Sequence, residues 1–177
     1  MPTRADVVIT RLEQTERPVL ETAAPPGVKT AILRAEHPPV HFYRYLYDVV
    51  GRPYHWVSRR SLSDEKLAEI IQDPQNALYV LLVDGVPGGM AELNMRAKAF
   101  ELSFFGLTPE NVGKRLGRYF LANIIETAWT LGAVRLVVET CTLDHPAALP
   151  LYRRLGFTVF AQKNGAVDLI EDGPAAT

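Results

Sequence analysis

The chain has 177 residues, a formal net charge of -1 at pH 7 and a hydrophobic share of 47%, a composition typical of one globular domain with a real core. The charge offers no basic excess for nucleic acid, and no apolar run approaches the roughly 20 residues that span a bilayer. We therefore expect no nucleic-acid or membrane partner. Cys141 is the only cysteine, and the first residues lack the apolar core of a signal peptide, so we expect a cytoplasmic protein.

The first half of the chain alternates between strand and helix patterns. In order, these patterns predict a strand over residues 7–12, a proline-rich loop over 16–29, a strand over 30–34, a helix over 40–50, and a second helix, capped by Ser61 or Ser63, that ends at Asp73 and Pro74. An apolar strand over 77–83 is then expected to pair with a strand over 90–95 around a glycine-rich turn.

The second half contains a strand–helix–strand unit. Residues 100–107 predict a strand, and apolar residues at a 3.6-residue period over 116–129 predict a helix. Branched apolar residues at 134–138 indicate a strand buried on both faces. A short helix capped by Asp144 follows, in which Pro150 requires either a kink or an irregular first turn.

The end of the sequence predicts a β-hairpin. Residues 157–161 and 167–170 read as two strands around the Asn164 and Gly165 pair, and the tail after Glu171 is expected to be disordered. The whole order predicts an α+β fold in one domain spanning the chain. Its centre would be a mixed, mostly antiparallel sheet that is flanked by helices and contains one parallel pair.

A basic, glycine-containing loop opens directly into the helix that begins near residue 116. Backbone N–H groups at a helix start, together with the helix dipole, favour anionic oxygens and therefore a phosphate-bearing ligand. A nucleotide P-loop does not fit, because six residues separate Gly106 from Gly113 and because Arg115, rather than Ser or Thr, follows Lys114. The Gly-x-Gly-x-x-Gly dinucleotide fingerprint is also missing from the sequence.

This loop resembles that of the Gcn5-related N-acetyltransferase (GNAT) superfamily, whose members bind acetyl-coenzyme A. The family loop is usually written Gln/Arg-x-x-Gly-x-Gly/Ala. Gly117 matches its last position, whereas Val112 replaces the Gln or Arg and Arg115 replaces the middle glycine. Gly113 and Lys114 fit members whose loop reads Gly-Lys/Arg-Gly-x-Gly. Because Arg115 adds a Cβ near the expected pyrophosphate, it could lower cofactor affinity, or its guanidinium could contact a phosphate.

A second signature of the family, Asn-x-x-Ala-x-x-Leu-Tyr-x-x-x-Gly-Phe, lies further along the chain. His145 stands at the Asn position, and the matching residues are Ala148, Leu151, Tyr152, Gly156 and Phe157. The resemblance covers the order of elements over most of the chain, and residue motifs only over 101–157. It implies the acyl-CoA N-acyltransferase fold and a direct attack of an amine on acetyl-coenzyme A in a ternary complex.

Acetyl transfer to an amine needs a base for the amine, a donor for the oxyanion and an acid for the leaving thiolate. The resemblance implies that Glu101 is the base, through a water molecule, with Glu92 as the alternative. Partial burial among neighbouring phenylalanines would raise the pKa of Glu101. Tyr152 occupies the position of the general acid, and the Leu-Tyr-x-x-x-Gly-Phe register favours that role over a tyrosine of the core.

The resemblance also implies a set of strand, loop and helix residues that bind acetyl-coenzyme A: Phe105, Gly106, Leu107, Val112, Gly113, Lys114, Arg115, Leu116, Gly117, Arg118, His145, Ala148 and Tyr152. His145 could instead be a first-turn residue of its helix. Cys141 is expected to be an inert thiol rather than a nucleophile. We expect no metal site, because two prolines separate His37 from His41 and prevent helical ligand geometry.

The acceptor pocket is expected to be formed by Tyr54, His55 and Trp56, which occupy the substrate-wall position of the family, and by Glu92. Glu92, Glu101 and Asp144 would make this pocket acidic and favour a cationic acceptor. The expected activity is acetylation of a primary amine on a small molecule or peptide. The alternative is a non-catalytic acyl-CoA sensor or partner-binding module on the same fold, and a homodimer is compatible with either.

Overall fold

A computed structural model describes residues 3–171 of the chain. Its strands are Arg4–Gln14 (β1), Thr30–Ala35 (β2), Asn76–Val83 (β3), Val86–Asn94 (β4), Ala99–Leu107 (β5), Arg135–Cys141 (β6) and Thr158–Asp168 (β7). Its α-helices are Val40–Gly51 (α1), Asp64–Ile71 (α2), Leu116–Thr130 (α3) and Ala148–Arg154 (α4), and 3-10 turns occur at Arg52–Tyr54 and Pro109–Asn111. The tail after Glu171, predicted to be disordered, lies outside the described residues.

All seven strands form one sheet in the order β2-β3-β4-β5-β6-β1-β7. Its neighbouring strands are antiparallel except for β5 and β6, which α3 connects as a parallel pair. The predicted α+β class with a central mixed, mostly antiparallel sheet is therefore confirmed. Between residues 3 and 171, no helix has the length and apolar character needed to cross a membrane.

The predicted C-terminal hairpin is wrong. Residues 158–168 form the single strand β7, which pairs antiparallel with β1 from Arg4 opposite Asp168 to Glu13 opposite Thr158. Gly165 lies in mid-strand rather than in a turn, and a Cβ there would meet the Ile9 Cδ1 atom at 2.7 Å. One edge of β1 thus pairs with residues from both predicted hairpin arms. Gly165 leaves room for the side chain of Ile9 on the neighbouring strand.

Helices cover the two faces of the sheet and bury two apolar clusters. On one face α3 supplies Phe120 and Ile124, both fully buried, in agreement with the 3.6-residue pattern. On the other face α1 and α2 supply Leu46 and Leu67. Full burial of each such side chain contributes roughly 1.5–3 kcal/mol. Ser63 caps α2 by accepting the Lys66 N–H at 3.3 Å, as one of the two predicted caps.

Helix α4 starts later than the sequence suggests. Its N-cap is Ala147, so Asp144 does not cap it, which corrects the prediction. Pro150 falls in the first turn, where a missing N–H breaks no bond within the helix. Asp144 instead accepts hydrogen bonds from the Thr140 hydroxyl at 2.5 Å and the Cys141 N–H at 2.9 Å, which anchors the turn to the end of β6.

Candidate active site

Strands β5 and β6 separate and open a cleft through the sheet. They pair only from Ala99 opposite Arg135 to Leu102 opposite Val138. Beyond Leu102 the register between β4 and β5 shifts at Ser103, and the two parallel strands part. A cleft of about 1300 Å³ occupies the gap and is lined by residues of both strands, α3 and α4.

Backbone groups of β5 face this gap. The Thr108 N–H donates to the Gly88 carbonyl oxygen at 2.9 Å, which continues the antiparallel ladder with β4. Because neighbouring residues of a strand direct their backbone groups to opposite edges, the N–H groups of Phe105 and Leu107 point away from β4 and toward the gap. These are donors that a carbonyl oxygen or an extended amide chain in the cleft can use.

One end of the cleft, called the anion end below, lies at the start of α3. Among residues 3–171 no side chain caps this helix, and its first turn contains no acidic residue but does contain Arg118. The first-turn N–H groups therefore remain available to an anion. Val112, Gly113 and Arg115 line the same end, so that loop donors and guanidinium groups surround it.

Arg115 adopts the backbone conformation that its glycine position requires. Its φ is 61°, in the left-handed region, and Gly113 has a φ of 82°. An arginine at the middle position of the loop therefore preserves the chain path at a cost of roughly 1–2 kcal/mol, while it adds a guanidinium. The side chain of Arg115 is exposed and lines the cleft.

Gly117 keeps the cleft open. A Cβ at this position would lie 3.7 Å from Leu107 Cδ1 and 3.8 Å from Leu151 Cδ2, which is ordinary contact distance. The protein itself therefore has space for a side chain here. The glycine leaves that space in the cleft, beside the free N–H groups of α3.

Tyr152 is the buried titratable group of the cleft. It is 5% exposed and lines the cleft, and its ring packs edge-on against Phe157 at 5.7 Å. Burial, with a smaller contribution from the Asp144 carboxylate, raises the pKa of its phenol above the ordinary value. Its hydroxyl makes no hydrogen bond within residues 3–171. The phenol thus stays protonated at neutral pH and can donate to a ligand.

The other end of the cleft has an aromatic wall. Trp56 and Phe104 line it with their ring centroids 5.1 Å apart, and Tyr47 packs behind both, at 5.5 Å and 5.0 Å. The Trp56 ring lies directly on the Gly51 backbone, where a Cβ would come within 2.4 Å of it. The guanidinium of Arg59 lies 5.3 Å from the Phe104 ring centroid. These contacts make the wall rigid.

Residues 29–157, well over half of the chain, match the sequence model of the acetyltransferase (GNAT) family. The chain belongs to the GNAT family. A search of curated proteins finds no match to the sequence.

Solved GNAT structures share the fold at low sequence identity. A GCN5-related N-acetyltransferase from Kribbella flavida is 18% identical, with a TM-score of 0.61 over 95% of this chain and 60% of that one. An aminoglycoside acetyltransferase from an uncultured soil metagenomic sample is 12% identical, with a TM-score of 0.58 over 71% and 86%. The ribosomal-protein-S18-alanine N-acetyltransferase from Escherichia coli is 16% identical, with a TM-score of 0.60 over 84% and 99%. The chain spans only 60 to 64% of the length of several matched proteins.

Most of the residues predicted for this GNAT site come together in the cleft. The lining residues are Tyr54, Trp56, Glu101, Phe105, Gly106, Leu107, Val112, Gly113, Arg115, Gly117, Arg118, His145, Ala148 and Tyr152. Lys114 and Leu116 do not line it, because Lys114 points to solvent and Leu116 is fully buried in the core. Glu101 is exposed rather than partly buried among the phenylalanines, contrary to the prediction.

Glu92 lies outside the cleft, so the structure contradicts its prediction as acceptor-binding residue or base. It is fully buried on the α1 side of the sheet. The Arg59 Nη2 atom donates to Oε1 at 2.6 Å and the Asn76 Nδ2 atom at 3.2 Å, while the Tyr43 hydroxyl donates to Oε2. A carboxylate with three donors and no solvent access stabilises the fold and does not face the cleft.

The structure also bears on the predictions for His55, His145 and Cys141. His55 is not a lining residue, because its Nδ1 atom accepts the Ile170 N–H at 2.9 Å and anchors the segment after β7. His145 belongs to the turn before α4, where its Nδ1 accepts the Ala147 N–H at 3.0 Å, yet it also lines the cleft beside Tyr54. Burial raises the pKa of the Cys141 thiol, which keeps it in the unreactive form.

Sequence reasoning missed several lining residues. They include Ser58, Ser103 and Phe104 at the aromatic end, and Tyr119 and the loop residues Glu21, Ala23, Ala24, Pro25 and Pro26 near α3. The loop before β2 reaches α3 through an Asn123 Nδ2 hydrogen bond to the Thr22 carbonyl oxygen at 3.0 Å. Its proline-rich sequence predicts a loop but carries no sign of the surface it covers.

Proposed function

We propose that this protein transfers the acetyl group of acetyl-coenzyme A to a primary amine of a small molecule or peptide. One observation carries the proposal: a single cleft, opened by the parting of β5 and β6, joins an uncapped helix N-terminus to a buried, protonated phenol. Membership of the GNAT family supports acetyl-coenzyme A as the donor.

The anion end of the cleft suits the phosphates of the donor. The free N–H groups of the first turn of α3 and the side chains of Arg115 and Arg118 supply donors and positive charge. The space left by Gly117 allows close approach to the helix. The donor's pantetheine amides can then extend along the gap and bond to the free edge of β5 near Phe105 and Leu107.

Acetyl transfer requires a base for the amine, a hydrogen-bond donor for the oxyanion and an acid for the leaving thiolate. Glu101, through a water molecule, accepts the proton of the amine, whose nitrogen then attacks the thioester carbon. A backbone N–H of β5 facing the gap stabilises the oxyanion. As the C–S bond breaks, the Tyr152 hydroxyl donates its proton to the leaving sulfur, and the products are an amide and free coenzyme A.

Thermal unfolding with acetyl-coenzyme A, coenzyme A or ATP tests donor binding. A ligand at about one hundred times its dissociation constant stabilises a protein by roughly 2.7 kcal/mol, which corresponds to several degrees for a domain of this size. We expect both coenzymes, and not ATP, to raise the melting temperature. Release of free thiol in the presence of a panel of amines then tests turnover.

The controls separate enzyme from binding module. The Y152F variant should keep the coenzyme-induced shift and lose most thiol release. A shift without turnover on any amine would favour the non-catalytic acyl-CoA sensor. No shift with either coenzyme would reject the proposed donor.

A further inference from the structure

An extra residue in β5 turns Phe104 toward the aromatic wall of the cleft. Glu92 of β4 is in register with Phe104, whereas Leu93 is in register with Leu102, so Ser103 is left over as a β-bulge. Leu102 packs into the core on the α3 side of the sheet. Because residues two apart in a regular strand share a face, Phe104 would otherwise point to that side too. The bulge places its ring on the α1 side instead, in the wall.

Glu92 fixes the position of β4 at this bulge. Its side chain is fully buried on the same face as Phe104. Its three donors come from three parts of the chain: Tyr43 in α1, Asn76 in β3 and Arg59 in the segment before α2. A shift of β4 by one residue would turn the carboxylate to the other face and separate it from all three, which is costly for buried polar groups. The register that produces the bulge is therefore the one that this network stabilises.

The guanidinium of Arg59 connects Glu92 to the aromatic wall. It donates to the carboxylate of Glu92 at 2.6 Å and lies 5.3 Å from the centroid of the Phe104 ring. Among the residues that the structure describes, the Nε atom of Arg59 is buried and has no hydrogen-bond partner. Hydrogen bonding alone would not favour that arrangement. The contacts with the carboxylate and the ring together therefore determine where this guanidinium lies.

Arg59 also fixes the segment that carries Trp56 and Ser58. Residues 55–63 are irregular and depend on side-chain contacts for much of their order. The Arg59 N–H donates to the Tyr47 hydroxyl at 3.3 Å, and that hydroxyl lies 3.2 Å from the Ser58 Oγ atom. The Tyr47 ring packs against Trp56. Since Trp56 and Ser58 both line the cleft, the shape of this end of the cleft depends on where Arg59 is held.

We propose that Glu92 and Arg59 are positioning residues for the acceptor, because their buried ion pair holds Phe104 and Trp56 where these side chains orient the amine toward the thioester. The inference rests on the proposed function. Neither Glu92 nor Arg59 is among the described residues that line the cleft, so the pair acts only through the wall. The anion end lies at the start of α3, away from these contacts. The pair therefore affects binding of the amine and not binding of the donor.

A double variant that removes both charges tests the proposal. R59M/E92Q leaves no unpaired buried charge, so it should be more stable than E92Q alone. KM and kcat are measured by thiol release with the most active amine of the panel, and the Kd of coenzyme A by calorimetry. We expect the amine KM to rise at least about tenfold, because a displacement of about 1 Å in a site can cost up to about a hundredfold. The Kd of coenzyme A and the pH profile of kcat should keep their wild-type values.

The matched control makes the same two exchanges on the other face of the sheet. R17M/E126Q removes an ion pair between the proline-rich loop and α3, and neither of its residues is among the described lining residues. We expect the amine KM of this control to equal that of the wild type. A folded R59M/E92Q with a wild-type amine KM would overturn the proposal and leave the acetyltransferase function intact. An equal rise of KM in the control would overturn it too.

R59K decides the question if the double variant does not fold. Lysine keeps the charge that pairs with Glu92 but has no planar guanidinium to lie on the Phe104 ring. We expect the amine KM of R59K to rise about two- to fivefold through loss of this contact, with the Kd of coenzyme A unchanged. An unchanged amine KM in R59K would overturn the proposal. Absence of turnover by the wild type with every amine would overturn the proposed function itself, and this inference with it.

Discussion

The carboxylate of Asp144, in the turn before α4, acts on the phenol of Tyr152 within α4. Together with burial, which is the larger cause, it raises the pKa of the phenol. The effect is useful only for a group that must keep its proton until a thiolate forms, because a phenolate could not protonate sulfur.

Replacement of Tyr152 by phenylalanine removes the proton donor and little else. We expect kcat to fall about a hundredfold, within the range for loss of a general acid, while the melting temperature changes by only a few degrees because the hydroxyl makes no hydrogen bond in the described residues. Steady-state thiol release measures kcat, and thermal unfolding measures the melting temperature. An unchanged kcat would show that Tyr152 is only a core residue.

The raised pKa of Tyr152 predicts a specific pH dependence. A neighbouring anion disfavours the phenolate, so the wild type should hold its kcat up to about pH 10, the ordinary pKa of tyrosine. D144N removes that anion and lowers the pKa of Tyr152, although burial still holds it above the ordinary value. The alkaline fall in kcat should therefore move to lower pH in D144N. A pH–rate profile that is identical in the two proteins would contradict the coupling.

Replacement of Glu101 by glutamine should affect kcat, whereas replacement of Glu92 by glutamine should affect stability. E101Q is expected to lower kcat by at least about a hundredfold with little effect on stability, since Glu101 is exposed. E92Q leaves the Arg59 charge, whose side chain is 20% exposed, without its partner. It should destabilise the fold by about 2–3 kcal/mol.

The two measurements are thiol release and chemical denaturation. If E92Q at a temperature where it remains folded loses activity as E101Q does, the assignment of Glu101 as the base is wrong.

Gly117 should be a site where stability and donor binding change in opposite directions. In G117A the new methyl group finds ordinary contact distances in the protein, and alanine is the better helix former, so the ligand-free protein should gain about 0.5 kcal/mol. The methyl group also occupies the cleft, so the melting shift produced by coenzyme A should shrink. The higher stability of the ligand-free variant itself shows that any loss of binding is not a folding defect.

The strained backbone of Arg115 should lower the free energy of unfolding of the ligand-free protein. Its φ of 61° suits glycine, so R115G should raise the free energy of unfolding by about 0.5–1 kcal/mol. K114G is the matched control, because Lys114 does not have a positive φ and gains nothing from glycine. We further expect R115G, which removes the positive charge, to weaken coenzyme A binding, and R115K, which keeps it, to bind about as well as the wild type. Equal stability changes in R115G and K114G would contradict the strain.

Local sequence patterns were enough to predict most helices and strands. The features that they did not predict depend on contacts between residues far apart in the sequence. The period of α3 and the break after β5 depend on neighbours in sequence, so both could be predicted. The partners that bury Glu92 lie 49 and 33 residues away, at Tyr43 and Arg59, and no local pattern reveals them. The Asn164–Gly165 pair has the signature of a turn, yet pairing with β1, more than 150 residues away, outweighs it.

The position of β1 between β6 and β7 gives the chain a nearly circular path. The Leu169 N–H donates to the Thr3 carbonyl oxygen at 2.7 Å, so the two ends of the described chain meet. A short linker across this point, with a new opening in the proline-rich loop before β2, would place β7 directly before β1 as a hairpin without moving any strand. Because β1 is the only neighbour of β7 among the described strands, deletion of β1 would release β7 with it.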